Sequence, residues 1–145
     1  MSMVTRRPDD LKYAMKNSNA IIMNAKEALR ITGEDDVRSA IKELQKLGAE
    51  TVIVTLDVKG SLVADGEEIF SLPAYKVNVV DTTGGGDSYT AGFVHAKFRG
   101  ASTKDAVKFA AAVAALNIMT PGASTDLPLE KDVVEFLKRA EYLNA

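Results

Sequence analysis

Residues Asp81-Thr82-Thr83-Gly84-Gly85-Gly86-Asp87 follow a valine-rich run and open directly into Ser88-Tyr89-Thr90-Ala91-Gly92-Phe93. Three successive glycines remove every Cβ from a turn, so the backbone can approach a ligand closely and direct consecutive N–H groups into one concavity. A helix beginning at about Asp87 adds its unpaired first-turn amides and the positive end of its dipole, which suits a phosphate or a developing oxyanion. A carboxylate beside such a cradle is repelled by the ligand's charge unless a reacting hydroxyl lies between them. Asp87 therefore has the placement of a general base in phosphoryl transfer. The plainer alternative for a bare glycine run is a turn that caps a helix and holds no ligand.

The rest of the chain supplies the frame for such a turn. Ala20-Ile21-Ile22-Met23 is a short apolar run ending in Asn24, followed by a short helical segment from Ala25 to Ile31 and a stop at Gly33. Val37, Ala40, Ile41, Leu44 and Leu47 recur at helical spacing, so a helix is expected from about Asp35 to Leu47, with acidic Glu34, Asp35 and Asp36 at its start. Thr51-Val52-Ile53-Val54-Thr55 is a β-branched run suited to a strand covered on both faces. Shorter strands are expected at about Ser61–Ala64 and Glu68–Leu72, turning at Asp65-Gly66. After Pro73 and the Lys76–Val80 run the chain reads as helical: about Asp87–Phe98, Thr103–Met119 and Leu129–Leu143. Strands alternating with helices predict an α/β fold, a sheet covered by helices on both sides. In such sheets ligands gather at the carboxyl ends of strands, where Asn24, Thr55 and Gly84 are expected.

Composition narrows the class further. With 145 residues, 46% of them hydrophobic and 26% charged, the chain is expected to form a single domain, residues 1–145, around one core. A net charge of -2 with mixed signs gives no basic footprint for nucleic acid, and no apolar run has the length to cross a bilayer. Cysteine is absent, which removes disulfides and thiolate metal sites. Nothing in Met1–Arg7 resembles a signal peptide, and a cytoplasmic protein is the expectation.

The Asp81–Phe93 stretch resembles the second signature of the ribokinase-like (PfkB-type) carbohydrate kinases, D-T-x-G-A-G-D followed by a small or aromatic residue and A-G-F. Asp81, Thr82, Gly84, Gly86, Asp87, Ala91, Gly92 and Phe93 match, and Gly85 stands in place of Ala. The resemblance runs from about Asn19 to Pro128 and implies the carboxyl-terminal half of a three-layer ribokinase-like fold. It implies an ATP-dependent transfer of a phosphoryl group to a hydroxyl of a sugar or nucleoside. Asp87 would be the base and the amides of Gly84, Gly85 and Gly86 the oxyanion cradle. Asn24-Ala25-Lys26-Glu27 resembles an N-x-x-E element whose Asn and Glu help to position magnesium, largely through water, although the same spacing is ordinary capping-box chemistry. Thr55, Lys59 and Gly60 fall in the loop that lies along the nucleotide, where Asp57 replaces a family glycine with a carboxylate. The Ala110–Asn117 helix resembles one wall of the adenine pocket, with Ala114 and Asn117 toward the cofactor and Ala111 where the family often has Asn. Pro121-Gly122-Ala123, with Asp81 and Thr83, resembles a turn that surrounds a monovalent cation, potassium, in several members. His95, the only histidine, lies too far along its helix from Asp87 for direct proton transfer and is read as a packing or solvent residue.

The family's amino-terminal half, with its lid and most sugar contacts, has no counterpart in these residues. Loss of acceptor positioning implies poor phosphoryl transfer by this chain alone, and an uncovered sheet edge implies a homodimer or a complementing chain. A second reading stays open beside the kinase: a non-catalytic nucleotide- or anion-binding remnant that works through association. Asp57 and Ala111 favour that second reading. The sugar itself is not legible here.

Overall fold

The computed structural model describes residues 8–123 and 127–143, so the expectation for Met1–Arg7 lies outside the described residues. The chain divides into two compact units, one of residues up to Leu56 with Ser61–Ser71, the other of Asp57–Gly60 with Leu72 onward.

The first unit is an α/β layer. Helix α1 (Pro8–Lys16) was not expected from the sequence, although Pro8 suits a first helical position and Leu11 and Met15 recur at the spacing of one helix face. Strand β1 (Ala20–Asn24), helix α2 (Ala25–Thr32), helix α3 (Val37–Lys46) and strand β2 (Thr51–Thr55) follow, with β3 (Ser61–Asp65) and β4 (Glu68–Leu72) completing a sheet of order β1-β2-β3-β4. β1 pairs parallel to β2 with Asn24 opposite Thr55, and β2 pairs antiparallel to β3 with Thr55 opposite Ser61. The strands sit within a residue of their expected places. Each helix has local reasons for its ends. α2 stops where Gly33 takes a left-handed conformation and donates its N–H to the Leu29 carbonyl at 2.8 Å. α3 starts later than expected because Asp36 leaves the helix to cap it, its Oδ1 accepting the amides of Arg38 and Ser39 at 2.9 and 3.0 Å.

Alternation along β2 and β3 explains the core. Val52, Val54, Leu62 and Ala64 pack with Ala28, Ala40, Ile41 and Leu44 of the helices, while Ile53 and Val63 point to the opposite face and are equally buried. Burying each such aliphatic side chain stabilises the fold by roughly 1.5–3 kcal/mol, so these strands anchor whatever is attached to their ends.

The second unit is helical. Helix α4 (Gly85–Phe98) and helix α5 (Thr103–Asn117) approach closely: a Cβ at Gly92 would lie 2.9 Å from the Ala110 Cα and from the Val113 side chain. Helix α6 (Glu130–Arg139) covers α5 through Val133, Phe136 and Leu137, and Tyr75 stacks on Tyr142 with ring centroids 4.9 Å apart. The valine run before the glycine turn forms no strand. The amides of Val80 and Asp81 donate instead to the Ile118 carbonyl at the end of α5, at 2.8 and 3.1 Å, so Gly84 follows an extended segment tied to a helix and not a sheet ladder.

Candidate functional site

The glycine turn is shaped by one left-handed residue. Gly84 has φ 78° and ψ -1°, and the Thr82 carbonyl accepts the Gly85 amide at 3.2 Å, the pattern of a type II turn with glycine at its third position. A side chain there would also meet Ala123, whose Cβ lies 2.7 Å from the place of an added Cβ. The helix begins two residues earlier than the sequence suggested. Gly85 and Gly86 therefore belong to the first turn of α4, with Asp87, and only Gly84 uses the freedom that glycine alone has.

This changes which amides face outward. Gly85 spends its N–H on Thr82, and Ser88 donates to the Gly84 carbonyl at 2.8 Å. The first-turn amides of Gly86 and Asp87 have no partner within the helix, and they carry the positive end of its dipole. A Cβ at Gly86 would meet nothing within 4 Å, so open space lies beside those amides. The Asp87 side chain is exposed at the same helix start. An anion bound at this N-terminus would therefore lie within one turn of backbone of the Asp87 carboxylate.

Asp81 fixes the turn. Its Oδ1 accepts the Thr83 amide at 2.9 Å and its Oδ2 accepts the Gly122 amide at 3.0 Å. Hydrogen bonds from the Thr83 side chain and amide, and then from Gly122, hold the Asp81 carboxyl down to about 2. The Thr83 carbonyl in turn accepts the Asn117 side-chain nitrogen at 3.3 Å. Asn117, expected toward the cofactor, is fully buried and reaches the turn through Thr83; Ala114, one turn before it, is half-buried. Asp81 and Thr83, the groups expected around a monovalent cation, therefore face N–H donors. Each of these oxygens accepts one N–H and keeps a further lone pair, so the donor set is compatible with a bound cation.

Elsewhere in the second unit, Asp57–Lys59 forms a single 3₁₀ turn that ends at Gly60. Gly60 has φ 89°, and a Cβ there would come within 1.9 Å of the Leu72 carbonyl oxygen, so glycine is required. Asp57 is the one non-glycine described residue with positive φ, at 52°. Aspartate is among the few side chains that visit this region, at a cost that glycine does not carry. Lys59 is exposed.

The first unit holds the remaining candidates. Asn24 and Glu27 form a reciprocal capping box, with Glu27 N–H to Asn24 Oδ1 at 2.9 Å and Asn24 N–H to Glu27 Oε2 at 3.2 Å. Both side chains are exposed and offer oxygen, the ligand type of magnesium, with Glu27 Oε1 outside the box. Thr55 is half-buried at the end of β2, its hydroxyl 3.4 Å from the Met23 carbonyl. Among the described residues no group of three or more His, Asp or Glu converges as a metal cage. His95 lies over Phe109 at 5.5 Å between centroids and 3.4 Å from Glu130, away from the turn on α4, as a packing residue would.

The profile of the pfkB family carbohydrate kinases matches residues 2–130. An ATP-dependent 6-phosphofructokinase of Thermoanaerobacterium thermosaccharolyticum is 34% identical over 88% of this chain and 41% of its own length. The structure of Arabidopsis thaliana ribokinase complexed with ribose and ATP superposes with a TM-score of 0.82 at 32% identity, over 88% of this chain and 43% of that one. A fructokinase variant of Vibrio cholerae O395 in its fructose-, ADP- and potassium-bound form gives a TM-score of 0.82 at 26% identity, over 90% of this chain and 44% of that one. The chain spans well under half the length of these relatives.

Proposed function

Because the chain belongs to the pfkB family of carbohydrate kinases, we propose that it carries the nucleotide-binding, catalytic half of an ATP-dependent kinase that phosphorylates a hydroxyl of a sugar or nucleoside. The observation that carries this reading is the start of α4, where the Gly86 and Asp87 amides border open space beside an exposed carboxylate. Asp87 accepts the proton of the acceptor hydroxyl as the hydroxyl oxygen attacks the terminal phosphorus of ATP and the bond from that phosphorus to the bridging oxygen breaks, releasing ADP. The outward amides of Gly86 and Asp87 take up charge that develops on the transferring group, and because they start a helix whose preceding turn is held by Asp81 they need no reorganisation. In the second unit Lys59 and Gly60 would flank the phosphates and Ala114 would border the nucleotide; in the first unit Thr55 would border the nucleotide and Asn24 and Glu27 would hold magnesium through its waters. Bound magnesium would neutralise phosphate charge. The relatives' names support this substrate class: one acts on a phosphorylated fructose, another was solved with ribose and ATP.

The proposal includes a single functional domain, a cytoplasmic location, and association with a second copy or a complementing chain. No helix among the described residues is long and apolar enough to cross a membrane.

One observation favours the alternative of a binding remnant without catalysis. Asp57 has a left-handed backbone, which glycine adopts more readily, and adds a carboxylate to the loop proposed for the phosphates. Transfer of radiolabelled phosphate from ATP to a panel of pentoses, hexoses and nucleosides separates the two. Slow transfer to at least one acceptor, lost in Asp87→Asn, supports the kinase. ATP binding with no transfer to any acceptor supports the remnant, and equal transfer by Asp87→Asn removes Asp87 from the role of base.

A further inference from the structure

We propose that the exposed face of α4 is the contact between two copies of this chain, packed antiparallel, so that Lys97 of each copy reaches the anion site of the other. The inference deepens the association proposed above by naming its surface, and its second half rests on the start of α4 being the anion site. At roughly 100° per residue, Asp87, Ala91, Val94 and Phe98 fall within about 60° of one another on the helix surface. The burial of α4 follows that spacing. Ser88, Tyr89, Gly92, Phe93 and Ala96 are buried on the other side, whereas all four residues of the stripe are exposed. Phe98 is 91% exposed, more than any other large apolar side chain among the described residues, and Val94 is 51% exposed. A contiguous apolar stripe turned to solvent is the form of a contact surface, and here it begins at the residue proposed as base.

Charge decides the occupant. α4 carries the acidic Asp87 in its first turn and the basic Lys97 in its last, at opposite ends of the stripe. His95 and Arg99 lie at the same end as Lys97, but both face Glu130, at 3.4 and 3.7 Å. Lys97 gives one N–H to the Ala101 carbonyl at 3.3 Å, and an ammonium group has further donors to offer. The face therefore runs from acidic through apolar to basic, and reversing it produces its own complement. Two copies packed about a two-fold axis between Ala91 and Val94 set Asp87 of each beside Phe98 and Lys97 of the other, with the helix dipoles opposed. A parallel pair would instead set Asp87 against Asp87 and Lys97 against Lys97.

The same symmetry carries Lys97 to the anion site. Lys97 and Gly86 lie on one flank of the stripe, roughly 80° and 100° round the helix from Asp87 in the same direction. A two-fold axis perpendicular to the helices keeps that flank of both copies on one side of the contact. The ammonium group of one copy therefore stands beside the outward amides of Gly86 and Asp87 in the other, where phosphate charge would gather. Three apolar side chains per copy make a small contact, which suits a weak association strengthened by a bound polyphosphate.

Sedimentation velocity of the full chain, from low-micromolar to submillimolar concentration, tests the contact. The wild type should dimerise reversibly. Phe98→Gln and Val94→Gln, helix-compatible changes at exposed positions, should keep the wild-type circular dichroism spectrum and stay monomeric. Lys97→Glu should weaken the dimer by roughly 2- to 30-fold, the range for two exposed ion pairs, and Asp87→Lys should do the same. The double variant Asp87→Lys/Lys97→Glu should regain wild-type association, because the reversed charges pair again in an antiparallel contact. A wild type that stays monomeric overturns the proposal and leaves the stripe to a complementing chain. Dimerisation untouched by Phe98→Gln and Val94→Gln overturns it by placing the contact elsewhere, and a double variant no better than the single ones overturns the antiparallel arrangement. Titration with ATP and magnesium tests the reach of Lys97: affinity should rise with protein concentration in the wild type and not in Phe98→Gln. Equal affinity at all protein concentrations would remove Lys97 from the anion site. Absence of ATP binding would refute the kinase reading alone, while sedimentation would still decide the contact.

Discussion

Asp81 and Gly122 are 41 residues apart in the chain, and the Asp81 carboxylate accepts the Gly122 amide at 3.0 Å. This bond ties the glycine turn to the segment that follows α5, so the direction of the cradle is set by a residue outside it. Asp81→Asn keeps the size of the side chain but turns one acceptor into a donor that faces an N–H. Its urea midpoint should fall with little change in slope, and its ATP affinity should fall with it, as measured by denaturation and titration. An unchanged midpoint would mean that the two turns are held by something else.

The same carboxylate predicts a pH effect. Its folded pKa of about 2 lies below its ordinary value of 3.8, so the native state binds fewer protons than the unfolded chain across that interval. The stabilisation is complete above the ordinary value and is lost as pH falls toward 2. Urea midpoints between pH 5 and 2 should therefore decline less steeply in Asp81→Asn than in the wild type. Parallel declines would contradict the assignment.

Gly84 and Gly86 should separate folding from binding. Gly84→Ala forces a left-handed backbone, at roughly 1–2 kcal/mol, and adds a clash with Ala123. It should destabilise by at least that amount. Gly86→Ala lies in a helical first turn with open space around it and should leave stability unchanged or raise it by up to about 1 kcal/mol. Its methyl group would stand beside the outward amides, so ATP affinity should fall despite the intact fold. Equal ATP affinity in Gly86→Ala and the wild type would place the ligand elsewhere.

Much of this was legible in the sequence because local chemistry and tertiary context agree. The β-branched run at Thr51–Thr55 and the D-T-x-G-x-G-D spacing left few alternatives, and the glycine stop at Gly33 ends its helix as expected. The misses share a cause, which is that the partner of a group was not visible along the chain. Gly85 joins the helix because its amide is satisfied by Thr82, and the valine run avoids a ladder because its amides turn to Ile118. Asn117 looked like a nucleotide contact, and only the fold reveals its bond to Thr83. Helix α1 did leave a signal, in the Leu11 and Met15 spacing after Pro8.

Asp57→Gly tests the departure in the loop at Asp57–Gly60. Glycine removes the cost of φ 52° but adds freedom to the unfolded chain, and the two effects, each about 1 kcal/mol, nearly cancel. Stability should stay within about 1 kcal/mol of the wild type, while loss of the carboxylate should tighten ATP binding several-fold at low salt. Unchanged affinity would show that this loop does not meet the phosphates.

The central claim is that the start of α4 binds the phosphates of ATP with Asp87 as the base. Calorimetric titration with ATP in magnesium buffer, repeated with Asp87→Asn, tests it most directly when paired with a transfer assay on the same samples. Both proteins should bind saturably at micromolar to low-millimolar ATP, with transfer reduced by roughly 10²–10⁴ in the variant, the usual contribution of a general base. No saturable binding by the wild type, or equal transfer by the two proteins, would contradict the account.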